Sequence, residues 1–351
     1  MSILTLTDYL LVVHIFLQNI FAVLAIPSDK IRYAVSHYYP DASAINSARP
    51  YLFVHWSASW SGRMLSTLLV CWALNLSVMG QAPAKQWDHT YGGDDVEFAG
   101  DMARTTDGGY IIGGQSVSAN SGDRSAISRG SGDIWILKLD AAGLKSWDKA
   151  FGGSGNEALR TIRQTTDGGY ILGGVSTSGI SGDKSESNFG DQDVWIVKLD
   201  AQGRKQWDHR FGGSGFDAFG ALQQTTDGGY LIGCTSASGI SGNKTASNLG
   251  SNDYWVVKLD ANGSKQWEHT YGGSLSDEIY DVVQTADGGY AIGGNSASGI
   301  STTKSQPSRG LADYWLLKLD SQGNRQWDKT LGGQVPTYCM LYAKPPMVDM
   351  S

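Results

Sequence analysis

Cysteine is scarce: the 351 residues hold three, Cys71, Cys234 and Cys339. That is too few for a disulfide framework, and none has a companion at metal-ligand spacing. Runs of basic residues are missing, and 27 Lys and Arg against 34 Asp and Glu leave a net charge of −7. Neutralising a phosphate backbone needs clustered cations, so nucleic acid is excluded as a partner. Proline is also sparse, at 8 residues, whereas glycine reaches 46 without a Gly-X-Y period. That combination speaks for many tight turns. Catalytic motifs are wanting as well: no G-x-S-x-G, H-E-x-x-H or P-loop occurs, and nothing couples a nucleophile to a base. The Asp-box pattern of sialidases is absent too. No catalytic residue is nominated, and the expectation leans away from an enzyme.

What the chain does have is a period. Asp-Gly-Gly-Tyr begins at Asp107, Asp167, Asp227 and Asp287, each 60 residues after the last. Trp135, Trp195, Trp255 and Trp315 keep the same step inside Asp-x-Trp-x-x-Lys-Leu-Asp. A second series, Trp87, Trp147, Trp207, Trp267 and Trp327, is followed each time by Asp or Glu.

Within the period 152–211, Ala158–Thr165 reads as a short strand. Asp167-Gly168-Gly169 is a hairpin signal, because Asp-Gly tolerates the positive φ that matches strand twist. Tyr170–Ser176 is a second strand, whose Gly173-Gly174 pair leaves room for a close neighbour. A polar stretch, Thr177–Gln192, follows. Asp193–Asp200 alternates clearly, with Trp195, Val197 and Leu199 on one face and Val194 and Ile196 on the other. Ala201-Gln202-Gly203 turns the chain into a fourth strand, Lys205–Phe211. Four short antiparallel strands per tandem unit predict an all-β fold of propeller blades, with a β-solenoid as the rival. Lys85–Tyr91 matches the fourth strand, so the expected inventory is four full four-stranded blades plus one extra outer strand. A leftover strand suits a truncated larger propeller better than a closed ring of four.

Phe-Gly-Gly-Ser-Gly-x-Asp, Asp-Gly-Gly-Tyr, Asp-x-Trp-x-x-Lys-Leu-Asp-x-x-Gly and Lys-Gln-Trp-Asp together resemble bacterial β-propeller repeats of the SBBP and delta-60 kind, as in secreted Bacteroidetes proteins. The resemblance covers about residues 85–333. It implies export and a propeller, and it supplies no agreed catalytic residues. Some relatives carry names from polysaccharide degradation.

The ends differ from the middle. Residues 1–63 read as an extension upstream of the true start, or as a membrane anchor through the apolar run Leu10–Ile26. A membrane partner follows only on the second reading. Residues 64–82 read as a signal peptide, with a mature start near Gln81. The array then spans 83–333, and 334–351 is a non-repeat tail.

Three sets of residues are candidates for chemistry. Asp133, Asp193, Asp253 and Asp313 recur after a glycine-bearing loop; they suit either Ca²⁺ ligation or acceptance of backbone N–H groups at the strand entry, and the second is favoured. No other cofactor is implied. Asp123, Asp183 and Asn243 are candidate ligand-binding positions in the polar loop, although Thr303 at the fourth place would degrade a repeated site. His89, His209 and His269 alternate with Lys149 and Lys329 and read as exposed outer-strand positions. The Trp residues of Asp-x-Trp read as core rather than as glycan platforms. The expected function is a secreted or cell-surface, non-enzymatic module that binds a glycan or a protein. The alternative is a component or enzyme of extracellular polysaccharide degradation.

Overall fold

The computed structural model describes residues 85–334, within the second of two units, 1–83 and 84–351. The extension, the signal peptide and the tail expected from the sequence lie outside the described residues.

Sixteen strands form four antiparallel sheets of four, and no helix occurs among the described residues. The first sheet holds β1 (Glu97–Arg104), β2 (Tyr110–Ser116), β3 (Asp133–Leu139) and β4 (Lys145–Phe151). The second holds β5 (Glu157–Gln164), β6 (Tyr170–Ser176), β7 (Asp193–Leu199) and β8 (Lys205–Phe211). The third holds β9 (Asp217–Gln224), β10 (Tyr230–Ser236), β11 (Asp253–Leu259) and β12 (Lys265–Tyr271). The fourth holds β13 (Asp277–Gln284), β14 (Tyr290–Ser296), β15 (Asp313–Leu319) and β16 (Arg325–Leu331). Strand order in each sheet is chain order, so every connection is a hairpin or a loop between neighbours.

The first hairpin of each sheet is closed by its aspartate. Asp167 Oδ1 accepts the Gly169 N–H at 3.0 Å, and Gly168 N–H donates to Thr165 O. Gly168 has φ +81°, a left-handed conformation that a Cβ makes costly. Lys198 Nζ reaches Asp167 Oδ2 at 2.9 Å, tying the turn to the third strand. The same pair recurs as Lys138–Asp107, Lys258–Asp227 and Lys318–Asp287, each at 2.8 Å.

Consecutive sheets stack face to face. Ile111, Ile134 and Ile136 of the first sheet meet Leu159, Trp195, Val197 and Leu199 of the second. Ile171, Val194 and Ile196, on the other face of the second sheet, meet Trp255, Val257 and Leu259 of the third. Tyr254, Val256 and Tyr271 then meet Trp315, Leu317 and Leu319 of the fourth. All seven residues of β7 and of β11 are buried because both faces are covered. The Phe219 ring occupies the space beside Gly173 where a Cβ would otherwise project. The fourth sheet has no comparable packing against the first, so the four sheets form an open array.

The extra outer strand is corrected. Lys85–Tyr91 forms no strand. Its sequence suits a ladder, but among the described residues no third strand of a preceding sheet lies beside it to supply one, and an isolated strand is unstable without a partner.

Candidate functional site: the loop end of the array

Because each sheet runs in chain order, the long loops between its second and third strands lie at one end. The connections that lead into the next sheet lie there too. The Asp-Gly-Gly turns lie at the other end. All the site residues expected from the sequence gather at the loop end, one set per sheet.

Asp123, Asp183 and Asn243 each accept a backbone N–H from a glycine ahead of their own sheet. The pairs are Gly92 N with Asp123 Oδ2 (3.2 Å), Gly152 N with Asp183 Oδ2 (3.3 Å) and Gly212 N with Asn243 Oδ1 (2.9 Å). Thr303 Oγ1 takes the same bond from Gly272 at 2.8 Å. Three side-chain types therefore pin the loop to the sheet-entry segment in the same way. An acceptor oxygen is all the position requires, and the residues are not brought together in a common recess.

Asp133, Asp193, Asp253 and Asp313 are fully buried. One oxygen of each accepts a loop N–H: Arg129 N (2.8 Å), Phe189 N (2.7 Å), Leu249 N (2.6 Å) and Arg309 N (2.6 Å). That is the strand-entry role favoured from the sequence. The other oxygen, Oδ1, is buried without a hydrogen-bond partner in all four. It points at the glycine that follows the fourth strand. The carboxylate opening the next sheet points at the same glycine. A Cβ on Gly152 would fall within 2.7 Å of both Asp133 Oδ1 and Glu157 Oε2, and one on Gly272 within 2.7 Å of both Asp253 Oδ1 and Asp277 Oδ2. At Gly212 the corresponding oxygens of Asp193 and Asp217 lie within 3.0 Å. Each junction between sheets thus buries two facing carboxyl groups. Burial, then repulsion from Asp277, pushes Asp253 up to about 6, and Asp193 is raised through burial with Asp217 adding to it. Burial likewise raises Asp277. The acids meet two by two. Among the described residues no group of three or more His, Cys, Asp or Glu side chains could hold a metal ion.

Sequence reasoning missed the cations that sit beside these acids. Arg124, Lys184, Lys244 and Lys304 occupy one repeat position and are almost wholly buried, at 1%, 2%, 1% and 0% exposure. Arg124 Nη2 bonds Asp133 Oδ2 at 3.0 Å. Lys244 Nζ donates to Ser238 O (2.9 Å) and Ala246 O (2.8 Å), and Lys304 Nζ to Thr330 Oγ1 (2.6 Å). Lys304 Nζ also lies 5.0 Å from the centre of the Trp315 ring. Burial pulls Lys184, Lys244 and Lys304 below the usual lysine range. The signal was available in a Lys or Arg at every 60-residue step, but a cation in a polar loop reads as solvated.

The Asp-x-Trp tryptophans are core, as expected, with exposures of 4%, 1%, 0% and 0% from Trp135 to Trp315. The acid after the second Trp holds their indoles. Trp135, Trp195 and Trp315 Nε1 donate to Asp148, Asp208 and Asp328 at 3.1, 3.0 and 3.1 Å. In the third sheet Glu268 replaces Asp, and Trp255 Nε1 is left buried without a partner. Trp147, Trp207 and Trp267 pack edge-on or tilted against Tyr170, Tyr230 and Tyr290 of the following sheet, with ring centres 5.8–5.9 Å apart. The histidines do not converge. His209 Nδ1 lies 2.9 Å from Glu186 Oε1, and that hydrogen bond raises its pKa. His89 and His269 face the backbone carbonyls of Ala142 and Gln322.

One further set was overlooked. Ile180, Ile240 and Ile300 stand in Ser-Gly-Ile-Ser at the same step and are 69%, 68% and 70% exposed. They sit at the loop end, each just ahead of a turn.

No protein-family model matches the chain. It is 24% identical over 223 residues to Regulatory protein FlaEY of Caulobacter vibrioides, a match covering 60% of this chain and 22% of that protein. The chain thus spans about a fifth of the length of that relative. A Bacteroides caccae protein of unknown function matches over 67% of this chain and 82% of its own, at 14% identity and a TM-score of 0.27. An apocarotenoid oxygenase of Synechocystis matches over 67% of this chain and 50% of its own, at 12% identity and a TM-score of 0.34.

Proposed function

We propose that the four sheets are successive blades of a propeller, exported and displayed outside the cell as a non-enzymatic binding module whose loop end engages a protein partner. The observation that carries this reading is the row of exposed isoleucines. A single exposed apolar side chain is ordinary, but the same residue in the same loop of three repeats presents a repeated apolar tip. Aliphatic tips suit an apolar patch on a protein better than the face of a sugar ring, and the Asp-x-Trp tryptophans that could stack on sugar are buried. Three linked weak contacts raise avidity without any one being strong. The buried strand-entry acids accept a loop N–H in every sheet, which favours scaffold duty over catalysis.

The test compares the full chain with a triple variant, Ile180→Ser, Ile240→Ser and Ile300→Ser, on a protein array and a glycan array. The variant should keep its melting temperature and lose at least tenfold in apparent affinity for a captured protein. Glycan binding unaffected by the triple change would refute the protein reading. Release of reducing sugar from cellulose or xylan, abolished by changing one acid in one repeat, would overturn the non-enzymatic reading.

A further inference from the structure

Lys85-Gln86-Trp87-Asp88-His89-Thr90-Tyr91 differs from β12 only in having Asp88 where β12 has Glu268. The two segments also dock alike on the sheet that follows each. Tyr91 OH donates to Gly143 O as Tyr271 OH donates to Gly323 O. His89 Nε2 faces Ala142 O at 3.3 Å, and His269 Nε2 faces Gln322 O at 3.1 Å. The Trp87 and Trp267 rings lie 5.8 Å from Tyr110 and Tyr290. The difference is in the ladder. β12 pairs with β11, whereas Lys85–Tyr91 makes no backbone ladder with any described strand.

β16 is the converse. It has its ladder with β15, but among the described residues no sheet follows to receive its other side, so Trp327 and Leu331 are 45% and 56% exposed. One segment is docked without a ladder, and the other is laddered without docking. The flanking faces are open in the same sense. Met102 on β1 is 57% exposed, whereas its repeat equivalent Ile162 is fully buried. On the same face Trp135, Leu137 and Leu139 are buried in a small cluster with Tyr91, Tyr110 and Ile112, so the opening on the first sheet lies around Met102. Leu316 on β15 is half-buried where Val256 is buried. The acids follow suit: among the described residues Asp313 faces Gly332 with no second carboxylate beside it, and Glu97 faces Gly92 with no aspartate of a preceding sheet.

We propose that the chain self-associates head to tail, with Lys85–Tyr91 of one copy taking the place of β16 against β15 of a second copy. Every element of such an interface already exists three times within the chain. The exchange trades one ladder for an equivalent one and covers the exposed Met102 of one copy and the half-buried Leu316 of the other, so packing favours it. It also brings Asp313 of the second copy to Gly92 and Glu97 of the first, completing the same acid pair found at the inner junctions. The second copy is the fitting occupant because the open array leaves the first and fourth sheets of one chain unpacked against each other.

The register sets the test. Leu316 stands opposite Lys329 on β16, and His89 is the repeat equivalent of Lys329. Two full-length chains are made with Cys71 and Cys339 changed to Ser, one carrying His89→Cys and the other Leu316→Cys. Both are checked by circular dichroism for retained fold and mixed under mild oxidation. The expected result is a disulfide-linked dimer joining positions 89 and 316 by mass spectrometry, formed only in the mixture, with light scattering of the parent chain rising above monomer mass with concentration. A parent chain that stays monomeric at about 100 µM, or a mixture without that crosslink, overturns the proposal. A third chain carrying both His89→Cys and Leu316→Cys on the same background that forms the 89–316 disulfide only within single molecules overturns it in favour of self-closure.

Discussion

The buried acid pair at the last inner junction makes an unusual demand on pH. Asp253 is fully buried, its Oδ1 has no hydrogen-bond partner, and it faces Asp277 across Gly272, with the Lys244 ammonium as the nearby opposing charge. Its pKa of about 6 in the fold stands against 3.8 for a free carboxyl. The folded chain therefore holds this proton more tightly than the unfolded chain does. The associated stability is complete below about pH 4 and is lost as pH rises through about 6. A shift of roughly two units at ~1.4 kcal/mol each amounts to about 3 kcal/mol. Asp253→Asn mimics the protonated state: its carbonyl oxygen can accept from Leu249 N–H while its amide donates toward Asp277. The variant should come within a few tenths of a kcal/mol of the parent near pH 3.5 and be more stable by about 2–3 kcal/mol at pH 7.5, measured as urea midpoints at the two pH values. Carboxylates elsewhere titrate in both proteins and cancel in the difference. A variant less stable than the parent at pH 7.5, or a difference that does not change with pH, would refute the reasoning.

Glu268→Asp should stabilise the chain by about 1 kcal/mol, because it restores to Trp255 the indole bond that three other sheets have; an unchanged or lowered melting temperature would count against it. Trp195→Ala removes a side chain 1% exposed between two sheets and should cost about 3–5 kcal/mol by denaturant titration. Gly168→Val places a β-branched residue at φ +81° with no atom near its Cβ, so backbone strain alone should cost about 1–2 kcal/mol; Gly168→Asn should cost visibly less. The raised pKa of His209 means its bond to Glu186 contributes fully below the unfolded value and fades as pH rises through the folded one. His209→Gln should flatten the part of the stability profile that falls as pH rises above the ordinary imidazole range, and an NMR titration finding the ring below its ordinary value would contradict it.

Periodicity alone settled the four strands per unit and their bounds. β6 and β8 begin and end where the apolar alternation and the Gly-rich turns place them, β7 ends one residue earlier, and β5 is shifted by one residue at both ends. These features are local: turn chemistry and a two-residue alternation act over a few neighbours. The core role of Trp195 and its equivalents was legible for the same reason. Lys85–Tyr91 was misread because its residues are those of a strand, while a strand needs a partner that no local pattern supplies. The buried Lys244 and the facing Asp253 and Asp277 were hidden because burial of a charge depends on the neighbouring sheet, and those partners lie up to dozens of residues apart. The sequence determined what each unit is; stacking the units decided which charges are enclosed, which isoleucines remain in solvent and which strand is left without a ladder, because only packing removes water from a surface.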